Sequence, residues 1–217
     1  MTYHKINFSP TQDTGTTRLG GLPMIANHAD WPKFPMTGQP LLPLLSIIGD
    51  FLAPVFQDYT IPTGHTLTVF TVCDPANYDA LIALQMNDEQ DLPNLKKGGS
   101  LVLLHKTAAT PCPAPTGCPT LIPMQKLELE MVPDGDEKAK AEGTHAGDMA
   151  SKVGGIAGWA QDPIKLDGMK YVMQLSERLF GKGRHAHGRI FGGDCGFLML
   201  NEKLALGKAG VWIIQTA

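Results

Sequence analysis

One short pattern occurs twice in this chain, and both copies demand a backbone that few residues can adopt. Arg18-Leu19-Gly20-Gly21-Leu22-Pro23 and Lys152-Val153-Gly154-Gly155-Ile156-Ala157 share the order cation, aliphatic, glycine, glycine, aliphatic. Paired glycines lose more backbone freedom on folding than other residues, so they persist where the chain needs φ > 0 or a close backbone approach. Each copy is followed by a tryptophan near a proline: Trp31-Pro32 in the first, and Trp159 ahead of Asp162-Pro163 in the second. An apolar run and a strand-like segment come next. The second glycine precedes Leu67 by 46 residues in the first copy, and Phe197 by 42 in the second. This order points to an internal duplication within one domain. Its halves lie at about residues 1–132 and 151–217, joined by a polar connector at 133–150.

Between these motifs the chain reads mainly as strands. With 24 Gly and 17 Pro, turns are frequent and long helices rare. Leu41–Ile48 is a continuous apolar run, with Pro43 marking a bulge or an edge. Thr66–Cys73, Ser100–His105, Lys170–Ser176, Phe197–Leu200 and Val211–Thr216 read as strands. Gln125–Val132 alternates strictly: Leu127, Leu129 and Met131 fall on one face, Glu128 and Glu130 on the other. That is a half-exposed strand near an edge. Residues 1–17 read as an irregular lead-in. A helix is expected from Asp74-Pro75, with Asp74 as N-cap and Tyr78, Leu81, Ile82 and Gln85 on one face. Further helical turns are expected within Gly49–Phe56 and at Glu202–Leu206 after Asn201.

Composition and charge narrow the function classes. Hydrophobic content of 43% and charged content of 18% describe an ordinary globular chain. A net charge of −3 argues against a nucleic-acid binder held by phosphate contacts. No run reaches the length of a transmembrane helix, and Met1–Asn7 lacks the apolar core of a signal peptide, so a cytoplasmic protein is expected, with no membrane partner. Cys112 and Cys118 sit in a proline-rich loop without the ligand spacing of a zinc site, and read as free thiols, the alternative being a local disulfide. His185 and His187, two apart beside Arg184, would need a third ligand to hold a metal, and read as an exposed basic loop. Asp194, set between Gly193 and Cys195, reads as the hydrogen-bonding residue of its own turn. There is no phosphate loop, dinucleotide fingerprint or nucleophile elbow. No metal, no cofactor and no catalytic set are expected.

The ordered series of motifs resembles the YwqG-like family, a bacterial domain family of unknown function. Arg18–Pro23, Trp31-Pro32 and Leu41–Ile47 look like that family's opening. Lys152–Gln161, Met173-Gln174-Leu175, Gly193–Leu200 and Val211–Gln215 follow its closing pattern. The chain departs from the family where Leu198, Met199 and Leu200 replace aromatics and Ala157 replaces a proline. The resemblance implies an α+β fold of mainly antiparallel sheets with short helices, in two related halves. It implies no reaction.

Two functions follow as expectations. Proteins similar to the YwqG-like family are encoded among bacterial toxin and secretion systems. The first expectation is therefore a non-catalytic immunity protein that neutralises a cognate protein toxin, a basic nuclease being the case that charge favours, by binding and occluding it. Its contacts would come from the acidic connector, with Asp134, Asp136, Glu137, Glu142 and Asp148, and from the loop with Arg184, His185 and His187. The second is a small-molecule binder or enzyme with a cleft between the halves, lined by Arg18, Trp159, Gln161, Tyr171, Gln174 and Asp194.

Overall fold

A computed structural model of the chain describes residues 2–10, 13–74, 78–142, 147–180 and 190–216. Ten strands form its framework: β1 (Tyr3–Pro10), β2 (Arg18–Leu19), β3 (Leu42–Ile47), β4 (His65–Thr71), β5 (Ser100–Lys106), β6 (Gln125–Val132), β7 (Lys152–Gly154), β8 (Met169–Ser176), β9 (Cys195–Asn201) and β10 (Gly207–Gln215). They close into a barrel in the order β1-β6-β2-β3-β4-β5-β10-β9-β8-β7, with β7 pairing back onto β1. Every strand pair is antiparallel.

This overturns the expected α+β class. Among the described residues there is one α-helix, α1 (Glu137–Ala141), and the fold is mostly β. The segment expected to be helical after Asp74 is a 3-10 turn at Tyr78–Ala83, with residues 75–77 outside the described set. Residues 202–206 form no helix. They are the tight link between neighbouring antiparallel strands, where Asn201 Nδ2 donates to the Lys208 carbonyl instead of capping a helix. Local capping signals lose here to hairpin closure. The lead-in read as irregular contains β1, whose Ile6 and Phe8 alternate with Lys5, Asn7 and Ser9.

Two arcs of the ring can be set side by side. Beside β6 the strands run β2-β3-β4-β5, and beside β1 they run β7-β8-β9-β10. Arg18 pairs with Ser46 as Lys152 pairs with Gln174. A bulge falls between Pro43 and Leu45 in β3, and another between Tyr171 and Met173 in β8. The glycine pairs match too, with φ of 66° and 75° at Gly20 and Gly21, and 74° and 69° at Gly154 and Gly155. In this ring Tyr3–Pro10 stands in the arc of residues 152–215, although it opens the chain.

Strand alternation builds two apolar clusters. Leu67, Val69, Leu198, Leu200, Trp212 and Ile214 belong to the larger, which fills the barrel. Phe197, Met199, Val211 and Ile213 point the other way and, with Ala157 and Ile164, form a second cluster on the outer wall. Each tryptophan after a glycine motif packs on an aromatic of the same wall: Trp31 edge-on to Phe70 at 6.1 Å, Trp159 stacked on Phe197 at 4.4 Å. Burying side chains of this size contributes roughly 1.5–3 kcal/mol each.

The glycine motif sets a stability test. A Cβ on Gly155 would run into the Asp136 carboxylate and lie 2.9 Å from Tyr3 Cβ, whereas Gly168 has a similar φ of 69° and open space around it. Gly168→Ala is expected to cost about 1 kcal/mol, from backbone strain alone. Gly155→Ala should cost at least about 1 kcal/mol more. Urea unfolding of the two variants side by side measures the difference, and equal losses would refute the packing role of Gly155.

Candidate functional site

Among the described residues, a dense group of buried polar side chains lies on the outer wall, where β1, β7 and β8 meet the connector. Lys152, Gln174 and Tyr3 all point outward here, as the register of β7 with β8 and β1 requires. Residues 133–142 and 147–151 fold over them. Lys152 and Asp136 form an ion pair with fully buried side chains, Nζ donating to Oδ1 at 3.0 Å and lying 3.2 Å from Oδ2. The ammonium also stands 4.7 Å from the centre of the Tyr3 ring. Asp136 accepts two backbone N–H groups as well, from Asp148 at 3.0 Å and Ile156 at 2.8 Å. One carboxylate thus holds the connector, β7 and the second glycine motif together.

Gln174 does similar work from β8. Its Nε2 donates to the carbonyls of Asp148 and Ala150, at 2.9 and 2.8 Å. Its Oε1 accepts the Gly158 N–H at 2.7 Å and lies 3.3 Å from the Tyr171 hydroxyl. Tyr3 Oη donates to Asp148 at 2.8 Å, and Asp148 in turn accepts from the Ala150 N–H at 2.9 Å. Ser151 Oγ accepts the Ser176 N–H at 2.9 Å, so the end of the connector meets the end of β8.

The electrostatics suit a latch. Desolvation pulls the Lys152 ammonium below its usual value, against the opposing pull of Asp136. Burial, then the hydrogen bond to Asp148, push Tyr3 up to about 12. Burial, with Asp194 nearby, pushes the Cys195 thiol up to about 12.

The residues singled out in the sequence part company in the structure. Asp136 is buried, so its charge is spent on Lys152 and does not reach the surface. Asp134, Glu137, Glu142 and Asp148 are exposed. Asp134 has φ of 55°, and Glu137 lies 4.0 Å from Lys140. Arg184, His185 and His187 lie outside the described residues. Trp159, Tyr171 and Gln174 come together, Trp159 and Tyr171 with ring centres 6.1 Å apart. Gln161 instead staples its loop to the last strand, its N–H donating to Gln215 Oε1 at 3.1 Å and its Nε2 to the Thr216 carbonyl at 3.1 Å. The Asp194 carbonyl accepts the Glu177 N–H at 2.7 Å, tying β8 to β9.

Arg18 belongs to the other arc. Its guanidinium is buried and donates to the carbonyls of Thr14, Thr16 and Leu22, at 2.6, 3.3 and 3.2 Å, while Nε has no partner. A cleft of about 330 Å³ lies between the 55–59 loop and Lys170 and Glu202. Another of about 170 Å³ lies across the β5–β10 seam, beside Lys33 and Lys208. Neither is lined by any of the six residues assigned to a cleft between the halves. The four cysteines are free thiols. Among the described residues no three His, Cys, Asp or Glu side chains gather closely enough to hold a metal ion. No helix there is long and apolar enough to cross a membrane.

Sequence reasoning placed Asp136 among surface acids. Its position immediately before a short polar helix gave no sign of burial. The signal available was the unpaired cation Lys152 within an apolar strand motif, which needs a carboxylate from somewhere if buried.

The latch generates two tests. Removing one partner of a buried pair leaves the other charge uncompensated, so Lys152→Met should cost roughly 3–5 kcal/mol. Adding Asp136→Asn should return more than about 1 kcal/mol of that loss in denaturant unfolding, and strictly additive losses would refute the pairing. Tyr3 has a raised pKa in the folded state, so the unfolded chain loses its proton first. Stability should fall as pH rises from 10.0 towards about 12, and Tyr3→Phe should flatten that fall. An unchanged alkaline slope would count against the Tyr3–Asp148 bond.

No protein-family model matches the chain, and no curated protein matches it.

Proposed function

We propose that this protein is a non-catalytic binder of the immunity type, which neutralises a cognate protein toxin in the cytoplasm by covering it. The observation that carries this reading is where the polar groups are committed. Asp136, Lys152, Gln174 and Tyr171 have partners within the chain, and Gln174 uses both ends of its amide. They hold loops in place. Exposed carboxylates lie on and around the connector, at Asp134, Glu137, Glu142 and Asp148. An acidic face on a rigid barrel suits a basic partner protein such as a nuclease, whose approach it would steer and whose nucleic-acid site it would occlude. The motifs that resemble the YwqG-like family point the same way.

Immunity by occlusion needs no chemistry from the binder, only fast capture and slow release. Rim charges set the first. Reversing Asp134, Glu137 and Glu142 to lysine should slow association about tenfold at low salt, with little effect on folding. The difference should shrink as salt rises. Asp148 is left in place because it anchors Tyr3. The measurement is the association rate, at two salt concentrations, with the basic toxin encoded beside this gene. Failure to bind any neighbouring gene product would defeat the immunity reading, and an unaltered rate would remove the acidic connector from it.

A further inference from the structure

We infer that the open side of β6 is a strand-addition site for an extended, basic segment of a partner protein. The inference rests on the binding reading above and specifies how the partner is held. β6 pairs with β1 along all eight of its residues, from Gln125 to Val132. On its other side β2 covers only Gln125 and Lys126, and the Leu127 N–H donates to the Thr17 carbonyl at 2.9 Å. Antiparallel strands direct the main-chain groups of alternate residues to the same side, so Leu129 and Met131 point theirs where Leu127 does. Among the described residues neither makes a hydrogen bond there. Met131 is 62% exposed.

An unpaired strand edge is a template for another strand, and natural edges are usually blunted. The matching edge of β1 is blunted, since Pro10 offers no N–H. On β6 the next proline is Pro133, past the end of the strand.

The side chains then select the partner. Glu128 and Glu130 are exposed on one face of β6, while Leu129 and Met131 lie on the other. Glu128 meets Lys126 at 2.7 Å, and Glu130 accepts from Asn7 at 2.9 Å, each keeping a second oxygen for a newcomer. A second copy of β6 would set carboxylate against carboxylate and is disfavoured. A strand with cations at every second residue would meet Glu128 and Glu130, and its intervening apolar residues would cover Leu129 and Met131. This is recognition by main chain, with alternate side chains supplying selectivity.

The probe is a capped hexapeptide of alternating lysine and valine, with an alternating glutamate–valine peptide as comparator. At saturating lysine peptide, hydrogen exchange of the Leu129 and Met131 amides should slow by about tenfold or more. The glutamate peptide should leave both unchanged. Met131→Pro, which removes one outward N–H, should weaken binding at least about tenfold, while Met131→Ala should stay within about threefold. Protection elsewhere, or equal binding of both peptides, would overturn the site. The exchange measurement on the unaltered protein decides the matter even if the proline variant unfolds. Protection by the peptide with no toxin bound would leave this edge standing and defeat the immunity reading. A neutralised toxin with unprotected Leu129 and Met131 would do the reverse.

Discussion

The barrel depends on two left-handed glycine turns that follow its two shortest strands. β2 and β7 contribute two and three residues to the ring, too few to hold a seam by main-chain pairing alone. The Gly-Gly turn after each lets the chain leave the wall at once and bring an apolar loop, with its tryptophan, back across the outside. A side chain at either position would meet backbone or a packed neighbour: Ile122 at Gly20, Val55 at Gly154. The short strands are therefore stabilised from outside, by what covers them. This explains why each motif begins with a cation that ends up buried. Arg18 and Lys152 point to the outer wall and need polar cover, which comes from the carbonyls of Thr14, Thr16 and Leu22 in one arc and from Asp136 in the other.

Much of the sheet was legible in the sequence because period-two patterns report burial directly. β4, β5, β8, β9 and β10 lie within a residue or a few of the segments read as strands, and the bulge in β3 falls at the proline that suggested it. Three things were not legible. β1 was missed because His4 interrupts its apolar face, and its partners are remote in sequence. The helices expected after Asp74 and Asn201 had local signals that tertiary pairing overrode, one segment shrinking to a 3-10 turn and the other to a hairpin link. Closure was hidden as well, for a set of antiparallel strands of this number can form two sheets or one ring. What decides is β1, which bridges the two arcs by pairing with β6 and β7 together.

The candidate site was legible only in part. Trp159, Tyr171 and Gln174 were visible as an amphipathic or polar minority among apolar residues, and they do gather. Asp136 looked like one acid among several. Composition cannot tell a solvated carboxylate from one that is sunk, because the difference lies in which residue the connector happens to lay over Lys152. The six residues expected to line a cleft between the halves are dispersed instead: Arg18 stands in the other arc from Trp159, Tyr171 and Gln174, and Gln161 ties its own loop to β10.

The place of β1 has a consequence for how the chain reaches this state. The first strand has its nearest partner residue, Gln125 opposite Pro10, 115 positions further along, and its contacts with β7 lie further still. During synthesis it can pair with nothing native until most of the protein exists, whereas β3, β4 and β5 can zip in succession. Sealing the ring is thus a late event with high contact order and a slow rate. Until it happens, β6 and β7 both present bare edges that another chain can pair with, so slow closure lengthens the time in which this protein is open to mispairing.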